Sequence, residues 1–257
     1  MAIDLKSIQK GASHLPPRIL IYGVQGIGKT KFGADAPKPI FLLTEDGLGV
    51  LESEHFPLLK SYNEVMEALT VLATEDHGFE TLVMDSLDWM EPLVWAHTCV
   101  INNWTSIEDA GYGKGYVEAL AYWGEYLDAI NYLRNEKGMT IIQTAHATAK
   151  RFNDPTTEPY DRYQIKLQDK AASKMLEHSD IVLFANYRIT TIKEGKDKKN
   201  VRAVGQGERI IYTEERPAFI AKNRYSLPTE LPLDWNEITK HIPYFNPKKK
   251  AAGKKAA

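Results

Sequence analysis

The 257-residue chain has a single cysteine, Cys99, which excludes an internal disulfide framework, and His97 beside it does not complete the doubled spacing of a zinc site. It also lacks any apolar run of membrane-spanning length, and residues 1–9 are too mixed in polarity for a secretory leader. These two absences predict a soluble protein of a reducing, cytoplasmic setting with no membrane partner. Charge of one sign is missing as well. Thirty-two basic residues stand against thirty-four acidic ones, a net of −2, so any nucleic-acid surface must be local. No internal repeat is found. The 43% hydrophobic content is enough for one sizeable core, and the length suits a single α/β domain with additions.

One segment is highly specific. Gly23-Val24-Gln25-Gly26-Ile27-Gly28-Lys29-Thr30 fills every fixed position of the P-loop pattern, directly after Arg18-Ile19-Leu20-Ile21-Tyr22. A strand that ends in such a loop and hands over to a helix gathers backbone N–H groups around one phosphate position. Gly23, Gly26 and Gly28 permit the turns and the close approach that a Cβ would obstruct, Lys29 carries charge to the β and γ phosphates, and Thr30 offers its hydroxyl to magnesium. The expected ligands are ATP and Mg²⁺.

The flanking pattern predicts the order strand, helix, strand, helix, strand, and hence a mostly parallel sheet with ligands at its carboxyl edge. Residues 39–43 read as a buried strand followed by Thr44-Glu45-Asp46-Gly47. Ser61 and Glu64 form a capping-box signature for a helix to about residue 74, with Val65, Met66, Leu69 and Leu72 on its buried stripe. Residues 81–85 read as a strand ending in Asp85, the spelling of a Walker B element. Helices are expected over 87–103 and 117–135, with a glycine-rich mobile loop at 104–116 between them. A further strand over 139–144 leads to His146, and 148–164 reads as a long functional loop. After a helix through Met175, residues 181–192 and 201–212 read as the arms of a hairpin around 195–199, an antiparallel addition to the sheet edge. A short strand within 217–227 ends in two cations. The expected divisions are an N-terminal segment 1–17 available for a subunit contact, a core 18–228, an extension 229–246 and a disordered lysine-rich tail 247–257. That tail is either a weak polyanion contact or a solubilising end.

Hydrolysis needs a magnesium clamp, a group to orient water and positive charge at the γ phosphate. Asp85 fits the first as a carboxylate holding Mg²⁺ through water opposite Thr30, and it could equally cap the helix that starts at Ser86. Glu45 fits the second by accepting a proton from water; capping a turn together with Asp46 is the other role its position allows. His146 is either a γ-phosphate sensor or a structural histidine. Lys222 and Arg224 stand at alternate positions, so a strand would point both to one face. Two such cations repel unless an anion lies between them, which suits a neighbouring subunit's phosphate; ordinary surface solvation is the alternative.

In their order along the chain, the P-loop, Glu45, Val83-Met84-Asp85-Ser86, His146-Ala147-Thr148-Ala149-Lys150, the stretch from Leu176 to Leu183 and Lys222-Asn223-Arg224 resemble a RecA-type ATPase core over residues 16–228, with the middle and final stretches most like the RadA branch. In size and wording the chain is similar to small phage-encoded proteins grouped with the Sak-type single-strand annealing recombinases. The resemblance implies a RecA-like P-loop NTPase fold with a C-terminal antiparallel hairpin. It implies Glu45 as the water-activating carboxylate, Asp85 at magnesium, His146 at the sensor position, and Lys222 and Arg224 as cations acting on the neighbour's nucleotide. Residues 104–116 and 148–165 take the places of two DNA-facing loops. The large modules of the full recombinases are absent, which argues against strand invasion by this chain alone.

Independently of that likeness, single-stranded DNA is held by cations on the backbone and aromatics against the bases, and Tyr112, Lys114, Lys150, Arg151, Phe152, Arg162 and Tyr163 supply both types. The sequence therefore predicts a homo-oligomer, ring or filament, that binds single-stranded DNA with ATP at subunit borders. Two rivals stay open: a small-molecule phosphotransferase, and a non-catalytic nucleotide switch that docks a helicase or a single-strand-binding protein.

Overall fold

Five segments with few polar residues lie side by side and parallel, because each is buried on both faces. The computed structural model describes residues 15–194, 200–204 and 207–246; the expectations for residues 1–14, the turn at 195–199 and the tail at 247–257 lie outside the described residues. In chain order the elements are β1 Arg18–Gly23, α1 Lys29–Ala34, β2 Pro39–Leu43, β3 Glu54–His55, α2 Tyr62–Thr74, β4 Thr81–Asp85, α3 Leu87–Asn102, α4 Lys114–Glu136 and β5 Thr140–Phe152. They continue with β6 Tyr160–Ile165, α5 Asp169–His178, β7 Ile181–Tyr187, β8 Thr190–Glu194, β9 Asn200–Val204, β10 Arg209–Tyr212, β11 Lys222–Asn223, β12 Glu230–Pro232 and α6 Trp235–Thr239.

The main sheet runs β12-β10-β7-β1-β5-β4-β2-β3, with β7, β1, β5, β4, β2 and β3 parallel and β10 and β12 antiparallel at one end. The expected mixed α/β fold, a mostly parallel sheet flanked by helices, is present. Strand alternation divides the core: Leu20 and Tyr22 join α2, α3, α4 and α5 on one face, while Ile19 and Ile21 join α1 and α6 on the other. On the second face Phe32 of α1 meets Trp235 edge to face, with ring centroids 5.4 Å apart, so residues beyond 229 help to cover the P-loop helix. Fully burying each such side chain contributes about 1.5–3 kcal/mol.

Helix α2 starts as its sequence predicts. Ser61 Oγ accepts the Glu64 N–H at 3.2 Å, and the Glu64 carboxylate reaches back to the N–H of Lys60, one residue earlier than the usual capping box. Tyr62 and Ala68 join the buried stripe, while Met66 is only partly covered. Helix α4 begins three residues ahead of the expected 117. There Gly115 lies against the Ile107 backbone, and a Cβ at Gly115 would stand 1.9 Å from the Ile107 oxygen.

One expectation is corrected and one extended. Residues 148–164 are not a loop: β5 continues through Phe152 and pairs antiparallel with β6, opposing Lys150 to Arg162 and Phe152 to Tyr160. The polar residues that suggest a loop are the two faces of this hairpin. The expected antiparallel arms are present, with β7 opposing β10 and β8 opposing β9, but the first arm is more than an addition at the sheet edge. β7 is a core strand, parallel to β1, whose Ile-Val-Leu-Phe-Ala run fits burial on both faces. It pairs antiparallel with β10, and β8 and β9 form a separate two-stranded ribbon.

Candidate nucleotide site

The P-loop leaves β1 at the sheet's carboxyl edge. At Gly23 the constraint comes from the protein itself, since an added Cβ would lie 2.2 Å from the Ala185 oxygen of β7. At Gly28, which precedes α1, φ is 110°, a conformation that L side chains rarely adopt. Lys29 is buried, and its Nζ donates to the Gly23 and Val24 oxygens at 3.4 and 3.3 Å. Burial lowers the Lys29 pKa, against the opposing pull of Asp85, Asp88 and Glu45. The ammonium is bonded only to these two loop oxygens and has no carboxylate within 4.0 Å among the described residues, so its charge is open to a phosphate.

Strand order gathers the remaining groups. Because β5 lies between β1 and β4, the carboxyl end of β5 separates the P-loop strand from the strand of Asp85; Gly23 is level with His146, and Asp85 with Leu43. Asp85 is buried, with Oδ1 accepting from the Thr144 hydroxyl and Oδ2 without a hydrogen-bond partner. The ends of β2 and β4 are spliced together: Thr44 Oγ1 donates to the Ser86 oxygen at 2.7 Å and accepts the Ser86 N–H at 3.0 Å. Ser86 Oγ then donates to Glu45 Oε1 at 2.7 Å. The residue at the N-cap of α3 is Ser86, so Asp85 is not occupied in capping, and its buried bare oxygen fits a magnesium-bound water. Among the described residues no cluster of three or more His, Cys, Asp or Glu side chains forms a self-sufficient metal site. An ion held by Thr30 and Asp85 would therefore draw further ligands from phosphate and water.

A family model described as an AAA domain matches residues 15–225. The chain belongs to that family. It is also 28% identical over 191 residues to the SPbeta prophage-derived uncharacterized protein YorG of Bacillus subtilis (strain 168), an alignment covering 72% of this chain and 56% of that relative. The chain thus spans little more than half the length of the curated relative it matches. The site is that of an AAA-type P-loop ATPase domain, and no helix among the described residues is long and apolar enough to cross a membrane.

In this AAA domain His146 stands in mid-strand rather than at a strand end. The Asp88 carboxylate, almost fully buried, accepts from the His146 backbone N–H and from Nδ1–H, each at 2.9 Å, which leaves Nε2 without a bonded partner among the described residues. Burial alone would raise the Asp88 pKa, but the His146 hydrogen bonds bring it below the ordinary value. Sequence inspection missed Asp88, Thr144 and Ser86. Asp88 resembles any acid in a first helical turn, and Thr144 any polar strand residue, so neither carried a signal.

The expected DNA-facing residues separate into two groups. Tyr112, in the turn before α4, and Lys114, the first residue of α4, are exposed; Lys150 pairs with Asp169 at 2.7 Å and Arg151 with Asp161 at 3.7 Å on the outer half of β5. Arg162 is buried instead, donating to Glu215 Oε1 at 2.7 Å and to the Phe219 oxygen at 3.2 Å, with its guanidinium over the Phe152 ring. Tyr163 stacks on Phe184, ring centroids 5.1 Å apart. As adjacent strand residues they point to opposite faces, Arg162 covered by Glu215, Phe219 and Phe152 and Tyr163 by Phe184. Arg162, Tyr163 and Phe152 are therefore packing residues here.

Lys222 and Arg224 are not brought to the P-loop. β11 pairs with the start of β7, opposing Lys222 to Val182, at the sheet edge opposite the carboxyl ends. Lys222 Nζ donates to the Leu176 and Glu177 oxygens at the end of α5, both at 2.9 Å, and Arg224 Nη1 donates to Asp180 Oδ1 at 3.0 Å. The expected face of two cations awaiting one anion is replaced by two internally bonded side chains, since the strand spans only Lys222–Asn223.

Glu91, beside the cleft lined by Asp88, Trp95, Tyr116 and Lys150, is buried and accepts the Gln168 N–H at 2.9 and 3.1 Å. Burial pushes its pKa from 4.5 up to about 7, against the Gln168 N–H and Lys150. A raised carboxyl pKa contributes stability that is complete below the unfolded value and is lost as pH rises through the folded one. Between pH 5 and 8 the parent should lose about 1–3 kcal/mol more than Glu91→Gln in chemical denaturation, and superimposable pH profiles would refute this.

Proposed function

We propose that this chain hydrolyses ATP as a homo-oligomer on single-stranded DNA, in the manner of a small phage-encoded annealing or recombination ATPase of the Sak type. The observation that carries the hydrolytic part is the row Gly23, His146, Asp85 and Glu45 along one sheet edge. Glu45 takes a proton from water as the water oxygen bonds to the γ phosphorus and the bond to the bridging oxygen breaks, releasing ADP and phosphate. Magnesium, when bound, offsets charge on the phosphates. His146, oriented by Asp88, senses the γ phosphate and is continuous with the β5–β6 hairpin, so occupancy is relayed to the DNA side.

DNA contact falls to Tyr112 and Lys114 at one tip and to Lys150 and Arg151 on the hairpin. Each supplies little alone, since neutralising one phosphate changes the slope of log affinity against log salt by about −0.7; repetition along an oligomer multiplies it. Arg224, whose side chain is 54% exposed, is the member of the cation pair able to turn from Asp180 to a neighbour's triphosphate.

ATP turnover measured with and without single-stranded DNA tests this, for the parent and Arg224→Ala. DNA should raise turnover in the parent, and the variant should stay at the DNA-free rate. Turnover indifferent to DNA would sink the DNA-dependent reading in favour of a phosphotransferase.

A further inference from the structure

The geometry points to Arg209 as a phosphate-binding residue acting within the same subunit as the P-loop, a role resting on the nucleotide-site reading above. Arg209 opens β10 and is paired with Tyr187 at the carboxyl end of β7, the strand next to β1. Its backbone oxygen accepts the Leu233 N–H at 3.1 Å, so its Cα is fixed from two sides. From that platform its guanidinium lies beside the loop: a Cβ built on Gly28 would stand 3.2 Å from Arg209 Nη1 and 3.5 Å from Leu233 Cδ2.

The side chain is exposed and uncommitted. Arg18, Arg134, Arg151, Arg162, Arg188, Arg216 and Arg224 each have a carboxylate within 4.0 Å, whereas Arg209 has none among the described residues. Even its neighbour Glu208 is taken by Arg188 at 2.8 Å. A guanidinium beside a cradle of backbone N–H groups, with no anion of its own, matches the two-pronged geometry by which arginine binds phosphate oxygens.

Its place in the sheet fixes which phosphates it meets. β10 lies two strands from β1 on one side, and the strand of Asp85 lies two strands away on the other, so Arg209 flanks the loop opposite the hydrolytic carboxylates. It grips the α and β phosphates and leaves the γ phosphate to Lys29 and the carboxylate side. Its loss should weaken ATP and ADP alike, unlike the loss of a γ-phosphate group.

The test is the affinity of the full chain, with Mg²⁺, for ATP, ADP and inorganic tripolyphosphate, by calorimetry, in the parent, Lys29→Ala, Arg209→Ala and Arg209→Lys. Arg209→Ala should weaken all three ligands by about 10–100-fold with an unchanged melting midpoint, and Arg209→Lys should fall between it and the parent. Binding that needs Lys29 but not Arg209 overturns the assignment while sparing the nucleotide site. A loss for ATP and ADP but not tripolyphosphate overturns phosphate contact in favour of the nucleoside. No nucleotide binding in the parent overturns both.

Discussion

Replacing Glu45 with glutamine should leave nucleotide binding intact and lower ATP turnover by about 10²–10⁴-fold, the usual contribution of a positioned general base. The substitution isolates basicity from position. Ser86 Oγ donates to Glu45 Oε1, and a glutamine oxygen accepts that bond as well. Ser86 is in turn clamped by Thr44, so the residue's location is set by the spliced ends of β2 and β4 rather than by its charge. Gly47 closes the same corner, its Cβ direction meeting Glu45 Cγ at 3.6 Å and Asp85 Oδ2 at 3.8 Å. What the variant lacks is a group able to take the proton from water. Single-turnover measurement of phosphate release, beside calorimetric ATP affinity, checks both halves. Undiminished turnover would remove Glu45 from the chemistry and support the nucleotide-switch reading.

The Asp180→Ala variant should be less stable by about 3–5 kcal/mol, a large share of the 5–15 kcal/mol of an ordinary domain. Asp180 Oδ2 accepts from the Arg18 backbone N–H and Nε, both at 3.1 Å, and Oδ1 from Arg18 Nη2 at 2.9 Å, while Arg134 Nη2 lies 3.5 Å from Oδ2. The side chains of Arg18 and Arg134 are only 16% and 10% exposed, so removing the carboxylate strands two nearly buried charges. Burial alone would raise the Asp180 pKa, but Arg18, and then Arg134, bring it below the usual 3.8. A depressed carboxyl contributes stability above its unfolded pKa and loses it as pH falls through the folded value, so the variant's deficit should shrink in acid. Arg224 shares the same carboxylate but is half exposed, and its truncation should cost less than about 1 kcal/mol. Urea denaturation of both variants at pH 7 and in acid decides the matter. Equal losses for the two would make Arg224 a structural residue and remove it as a clean probe of neighbour-assisted hydrolysis.

How much was legible depends on how local each cause is. The P-loop was fully legible because its chemistry and spacing lie within eight consecutive residues. Glu45 and Asp85 were legible because each follows a short apolar run, and in a parallel sheet such ends share one edge. The covering of Arg162 and Tyr163 was not, since a polar hairpin and a polar loop have the same composition, and it is distant residues, Glu215 and Phe219 on one face and Phe184 on the other, that cover them. Asp88 and Arg209 were illegible for a different reason. The partner of Asp88 lies 58 residues away, and Arg209 meets the P-loop only because β10 joins β7.

By itself the sequence determined that this chain carries a phosphate-binding loop on a parallel α/β core with two carboxylates at strand ends, because those features follow from short-range spacing and from the alternation of apolar residues. The tertiary structure alone decided which charges are spent internally and which stay open. Asp180 engages Arg18 and Arg224, Glu215 engages Arg162, and Arg209 remains beside Gly28 without a carboxylate among the described residues. The physical reason is that an ion pair is fixed by distances between strands far apart in sequence, which strand order sets and local spacing does not.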